Sequence, residues 1–174
     1  MSSNRHRGFT LLELVVVIAL VGILGAAALD RLWFYQEQAE KVVMEQTASI
    51  LRSAMRLQMA DLIARQEVSK IPGLAAQNPM EWLAEKPGNY LGEIRNPAPG
   101  SIAKGNWYFD SKEGVLVYLV QHGSHLAPDS TGVKRVRYRV MPVESLRTKE
   151  NGGTADVIEI AGLKFVPVEP YRWF

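Results

Sequence analysis

The sequence predicts an α+β chain: one long N-terminal helix, apolar in its first half, packs its second half against an antiparallel β-sheet. Three observations predict it. Residues 9–29 form a nearly unbroken apolar run. Residues 26–71 contain neither glycine nor proline and keep a helical spacing of apolar residues. From residue 107 onward, β-branched and aromatic residues alternate with polar ones between turn signals. A chain of 174 residues holds one domain of ordinary size beside such a segment, and a second full domain does not fit.

Between Phe9 and Leu29 the only clearly polar residues are Thr10 and Glu13, and the run is long enough to cross a bilayer as a helix. Arg5, His6 and Arg7 precede it, which keeps the N-terminus cytoplasmic. Trp33, Phe34 and Tyr35 follow, where an aromatic belt meets the far interface. Everything from Asp30 onward is then expected outside. An ordinary secretory signal peptide is the alternative, with Arg5 and Arg7 as its basic region and Gly25, Ala26, Ala27 and Ala28 as small residues for cleavage. Against it stand the length of the run and the acid near its start. Glu13 needs an explanation, because an acidic side chain at the centre of a membrane helix costs about 3 kcal/mol on insertion scales. It lies four residues, one helical turn, after Phe9. Cutting between Gly8 and Phe9 would create an α-amino group at the start of the apolar helix, a cation matched to that carboxylate. The alternative is a Glu13 hydrated close to the interface.

Residues 8–14 read GFTLLEL and run on into VVVIALVGILGAAAL. This resembles the class III leader of type IV pilins and of the pseudopilins of type II secretion systems. The resemblance covers about the first thirty residues. It implies a leader at 1–8, removed by a prepilin peptidase between Gly8 and Phe9, and methylation of the new Phe9 amine. It implies an assembly role for Glu13, paired with the N-terminal amine of a neighbouring subunit. It also implies a pilin-like fold: a transmembrane and assembly half at 9–29, an amphipathic half at 30–71, and a periplasmic globular region at 72–174. The partners implied are other pilin-like subunits, an inner-membrane assembly platform and its ATPase. Where many members of the family have a proline, this chain has Asp30, so the usual helix kink is not expected from that position.

Past the membrane segment, apolar residues recur at Ala39, Val43, Ile50, Ala54 and Leu57, with Leu51, Met55 and Leu62 beside them. One continuous helix is expected from about Phe9 to about Glu67. The stripe predicts packing against the globular body, with a coiled-coil partner as its rival. All nine prolines and 11 of the 14 glycines lie from Pro72 onward, which marks the change to a turn-rich body. Asn78, Pro79 and Glu81 supply an N-cap, a first-turn proline and a capping-box acid for a short helix to about Glu85. Trp107–Phe109, a turn at 111–114 and Val115–Val120 read as a hairpin. Val136, Tyr138 and Val140 alternate with Arg135, Arg137 and Arg139 in a third strand with one basic face. Asn151, Gly152 and Gly153 mark a turn, and Val157–Val168 supplies one or two further strands.

Composition excludes several functions. Lys and Arg number 20 against 18 Asp and Glu, and removing the leader leaves 18 against 18, so no basic footprint for nucleic acid remains. The absence of cysteine removes disulfides, thiolate nucleophiles and cysteine zinc sites. His122 and His125 stand at metal-motif spacing, but without the glutamate of the zinc-protease helix or a third ligand, and are expected to be solvated loop residues. Ser124, His125 and Asp129 lie too close in one loop to build a nucleophile, base and orienter. No catalytic residue, cofactor or metal is expected, and no enzyme. Arg135, Arg137 and Arg139 are expected to form a solvated face paired with Glu113 or Glu159, or alternatively a docking surface for an acidic neighbour. The aromatic run Tyr171–Phe174 is expected to pack against the sheet, or else to serve an interface.

The expected function is a structural subunit, a minor pilin or pseudopilin of a type IV pilus or type II secretion filament, held in the inner membrane before assembly. The missing cysteine pair, common in major pilins, favours the minor or pseudopilin form. No dense aspartate cluster marks the calcium loop that the major pseudopilin usually carries. The rivals are a soluble exported binding protein with an ordinary signal peptide and a single-pass membrane protein that never assembles.

Overall fold

The computed structural model describes residues 9–98, 100–147 and 157–174, without the side chains of Asp30 and of 144–161. The expected turn at Asn151–Gly153 and the side chain of Glu159 lie outside the described residues. The chain divides into two compact units, Met1–Ala39 and Glu40–Phe174. Helix α1 spans Leu11–Ala64. In the first unit every side chain from Phe9 to Leu29 is exposed, and such a continuous apolar surface needs lipid or protein to cover it.

In the second unit, α1 buries Met44, Ala48, Leu51 and Met55, spaced three and four residues apart, with Met59 and Leu62 partly covered. This corrects the expected core stripe. Val43, Ile50 and Leu57 are exposed, because the buried face is turned by one residue, about 100° around the helix. Both stripes are apolar in sequence. The sheet selects the one it covers.

The helix stops at Ala64, short of the expected Glu67. Gln66 takes a left-handed conformation with φ 62°. The Glu67 amide donates to the Leu62 carbonyl at 2.8 Å and the Gln66 amide to Ile63 at 3.0 Å, the paired bonds of a Schellman terminus. A 3-10 segment, Val68–Ala76, follows with Pro72 inside it, buries Ile71 and Leu74, and packs against the last two strands. The Asn78 side chain accepts from the Met80 amide at 3.0 Å, as its N-cap position requires. The helix it starts is a four-residue 3-10 turn, Pro79–Trp82, rather than one reaching Glu85, because Leu83 is already extended.

Five strands follow: β1 Tyr90–Ile94, β2 Trp107–Asp110, β3 Val115–Leu119, β4 Arg135–Arg147 and β5 Val157–Pro167. They form one sheet in sequential order. The expected antiparallel pairing holds from β2 to β5, but β1 runs parallel to β2, so the sheet is mixed. In the β2–β3 turn Gly114 has φ 64°, which a side chain would strain, and Asp110 accepts from the Lys112 and Glu113 amides at 2.9 and 3.3 Å. Trp107, Phe109, Leu116, Tyr118, Val136, Tyr138, Val140 and Phe165 form the core with the buried face of α1. Each fully buried large apolar side chain there contributes roughly 1.5–3 kcal/mol. Tyr138 stacks on Phe165 at 5.1 Å, and Trp107 meets Tyr118 at 4.9 Å. Trp173 belongs to the same core. It bridges to Leu126, and its carbonyl accepts from Lys41 Nζ at 2.7 Å.

Candidate processing and assembly site

Phe9 and Thr10 precede the first helical residue, Leu11. The Glu13 amide donates to Thr10 Oγ1 at 3.3 Å, and the Leu14 amide to the Thr10 carbonyl at 3.1 Å. Thr10 is therefore the N-cap of α1, and Glu13 is its third residue, the spacing of a capping box. Glu13 lies in the first turn, at the positive end of the helix dipole. That placement is worth about 0.3–1 kcal/mol, well short of the roughly 3 kcal/mol an acid costs at the middle of a membrane helix. A further cation is needed to balance it if it enters the apolar layer. Phe9 is exposed, one turn away. Gly8 lies outside the described residues. The sequence reading missed this cap, although Thr10 and Glu13 spell the threonine and glutamate of a capping box just ahead of an apolar run.

A family model described as the prokaryotic N-terminal methylation motif matches residues 3–29, the span that contains this cap, the acid and the exposed apolar turns. The N-terminus carries a prokaryotic N-terminal methylation motif. Over 50 residues the chain is 44% identical to the type IV narrow pilus major component PilA5 of Thermus thermophilus, a stretch that takes in 29% of this chain and 43% of that pilin. The chain thus matches less than half the length of that relative. No solved structure matches it.

In the body of the chain, Arg135, Arg137 and Arg139 stand on the outer face of β4, since Val136, Tyr138 and Val140 turn inward. Arg135 Nε donates to Asp129 at 2.6 Å, Arg137 reaches Glu113 at 3.4 Å and also Glu169, and Arg139 donates to the Glu113 carbonyl at 3.1 Å. The row is stitched to its own chain. Burial raises the Asp129 carboxyl, but bonds from the Thr131 hydroxyl, the Arg135 guanidinium and the Val133 and Thr131 amides outweigh it and hold the group at about 2, below the ordinary 3.8. A carboxyl lowered on folding stabilises the fold above its unfolded value, and that stability is lost as pH falls. Unfolding measured against pH is expected to show a loss between about pH 4 and pH 2 that Asp129→Asn removes, on the order of 1–2 kcal/mol after solvent screening. An unchanged acid profile in Asp129→Asn would exclude this role.

The loop histidines are not simply solvated. His122 Nδ1 lies 3.0 Å from Glu40 Oε2, and the His125 ring packs 5.0 Å from that of Phe174. Glu40 gathers more. It accepts from Tyr118 Oη at 3.0 Å and from the Gln121 and His122 amides at 2.7 Å each. No short-range pattern in the sequence marks it, because its partners lie about 80 residues away along the chain.

Proposed function

We propose that this chain is a structural subunit of a type IV pilus or type II secretion filament. Residues 9–29 insert it in the inner membrane, with the N-terminus cytoplasmic and the body periplasmic. A prepilin peptidase cuts between Gly8 and Phe9, and the new Phe9 amine is methylated. An assembly platform and its ATPase then draw the subunit into a filament, where Glu13 meets the Phe9 amine of a neighbouring copy. Its role is structural, and catalysis belongs to its partners. The observation that carries this reading is the capped start of α1, with Glu13 in the first turn of an apolar helix that the chain itself leaves uncovered. The cysteine-free sequence supports a minor pilin or pseudopilin.

Mass spectrometry of the chain isolated from membranes tests the reading. A first residue of Phe9 carrying one methyl group is expected. A start near Leu29 would make the segment an ordinary signal peptide, and an intact Met1 would make it a plain anchor.

A further inference from the structure

On the face of the sheet opposite α1, the loop after β1 and the loop before β4 line a cavity of about 350 Å³. Tyr108, Ile102, Leu119 and Val133 give it apolar walls. Asp110, the last residue of β2, lines it too, because Trp107 and Phe109 turn toward the helix and successive side chains alternate. This carboxylate is only 7% exposed. Three amides hold one of its oxygens: Oδ1 accepts from Lys112 at 2.9 Å, from Glu113 at 3.3 Å and from Asn96 at 3.4 Å. Oδ2 accepts from no described residue, and no described cation pairs with the group. The cations nearby are engaged elsewhere. Lys112 Nζ donates to Asn96 at 3.1 Å, Arg135 to Asp129 and Thr131, and Arg137 to Glu113 and Glu169. A buried charge is costly without a counter-charge, and proteins ordinarily supply one.

We propose that this cavity is a binding site for a primary ammonium group carried on a short apolar stem, with Asp110 Oδ2 receiving the charge and Ile102, Leu119 and Val133 covering the stem. An anion is disfavoured, since Arg135, the cationic residue at the cavity, is already neutralised by Asp129. A hard metal ion takes several oxygen ligands, and among the described residues no group of three His, Asp or Glu stands close enough to hold one. A bare ion would also leave the apolar walls unmatched. An ammonium presents its donors to the free carboxylate oxygen, while its stem and the walls remove each other's apolar surface from water. The volume falls at the lower end of small-ligand sites, about 300–1,000 Å³, which suits a short stem. A free aliphatic amine and the lysine side chain of another protein both carry this group. The inference does not depend on the filament reading.

Titration of the detergent-solubilised full chain with n-pentylammonium, followed by NMR of the Ile102, Leu119 and Val133 methyl groups, tests the proposal. Saturable shifts of these methyls are expected. Pentanol and pentanoate, which keep the stem and lack the positive charge, are expected to bind at least tenfold more weakly. Asp110→Asn is expected to weaken pentylammonium at least tenfold and to keep the fold, because an asparagine Oδ1 still accepts the three amide bonds. Val133→Trp, at a position 40% exposed, leaves the carboxylate in place and fills the cavity, and is expected to abolish binding. Nα-Acetyl-lysine amide separates the two sources of the group. Binding as tight as that of pentylammonium assigns the site to a lysine side chain, and weaker binding assigns it to a free amine. Equal binding of pentanol, unchanged binding in either variant, or the absence of a saturable shift in the wild-type chain overturns the inference.

Discussion

Glu13→Gln is expected to insert in the membrane as well as the wild-type chain, or better, and to be cut and methylated at Phe9, yet to yield at least tenfold less filament. The substitution keeps the shape of the side chain and removes its charge. Insertion is not impaired because a neutral amide replaces a charge whose cost reaches about 3 kcal/mol at the centre of the apolar layer. The Thr10 cap survives, since it uses the Glu13 amide and not its carboxylate. What is lost is attraction to an amine on a neighbouring copy, worth roughly 4 kcal/mol for unit charges 4 Å apart near a protein surface. That exceeds the dipole contribution of about 0.3–1 kcal/mol several-fold, so assembly is affected far more than helix formation. Membrane fractions and sheared filaments, each quantified for chains bearing methylated Phe9, separate the steps. Wild-type filament yield from Glu13→Gln would remove the charge from the mechanism.

A second large effect is expected at Glu40, in stability. Glu40→Ala strips the acceptor from the Tyr118 hydroxyl, the Gln121 and His122 amides and the His122 ring at one stroke. The carboxylate side chain is only 9% exposed, so water replaces it poorly. A hydrogen bond to a charged group contributes about 1.5–3 kcal/mol, and a buried donor left without a partner costs a similar amount. Because the four share one acceptor and do not add, a loss of about 3 kcal/mol is expected for Glu40→Ala and a smaller one for Glu40→Gln, which keeps one acceptor oxygen. Burial, followed by the charge and the bond of Glu40, raises the Tyr118 phenol above its ordinary value, so it remains a donor into the alkaline range. Thermal unfolding of the detergent-solubilised chain measures the change. A shift below about 0.5 kcal/mol, the range of ordinary surface substitutions, would mean that these bonds form to water as readily as to Glu40.

Different parts of the molecule were legible to different degrees. The apolar N-terminal run reads directly, because a long apolar stretch with basic residues before it and aromatics behind it is a local pattern. The β2–β3 hairpin, β4 and β5 were visible for the same reason. Strand β1 was not, since Gly92 with φ 93° interrupts the alternation that marks a strand and only long-range pairing with Trp107 makes it one. The end of α1 was misplaced because Gln66 fills the left-handed position where glycine is the usual sign. Choosing Val43, Ile50 and Leu57 over Met44, Leu51 and Met55 as the core required knowing where the sheet lies, and periodicity cannot distinguish two apolar faces of one helix. At the candidate processing site the acid and its distance from Phe9 were plain, while Glu40 was invisible for want of any neighbour in sequence. The arginine row was found by alternation, but its pairing with Asp129 and Glu169 depends on loops that alternation does not describe.

Glu40 and Lys41 are adjacent on α1, yet they hold separate segments of chain, residues 118–122 and Trp173. Tension transmitted along this helix would load both attachments together, as two strands of a rope share a weight. Forced unfolding is governed by the rate of crossing a barrier rather than by equilibrium stability, so these two attachments add their resistance to that of the buried face of α1.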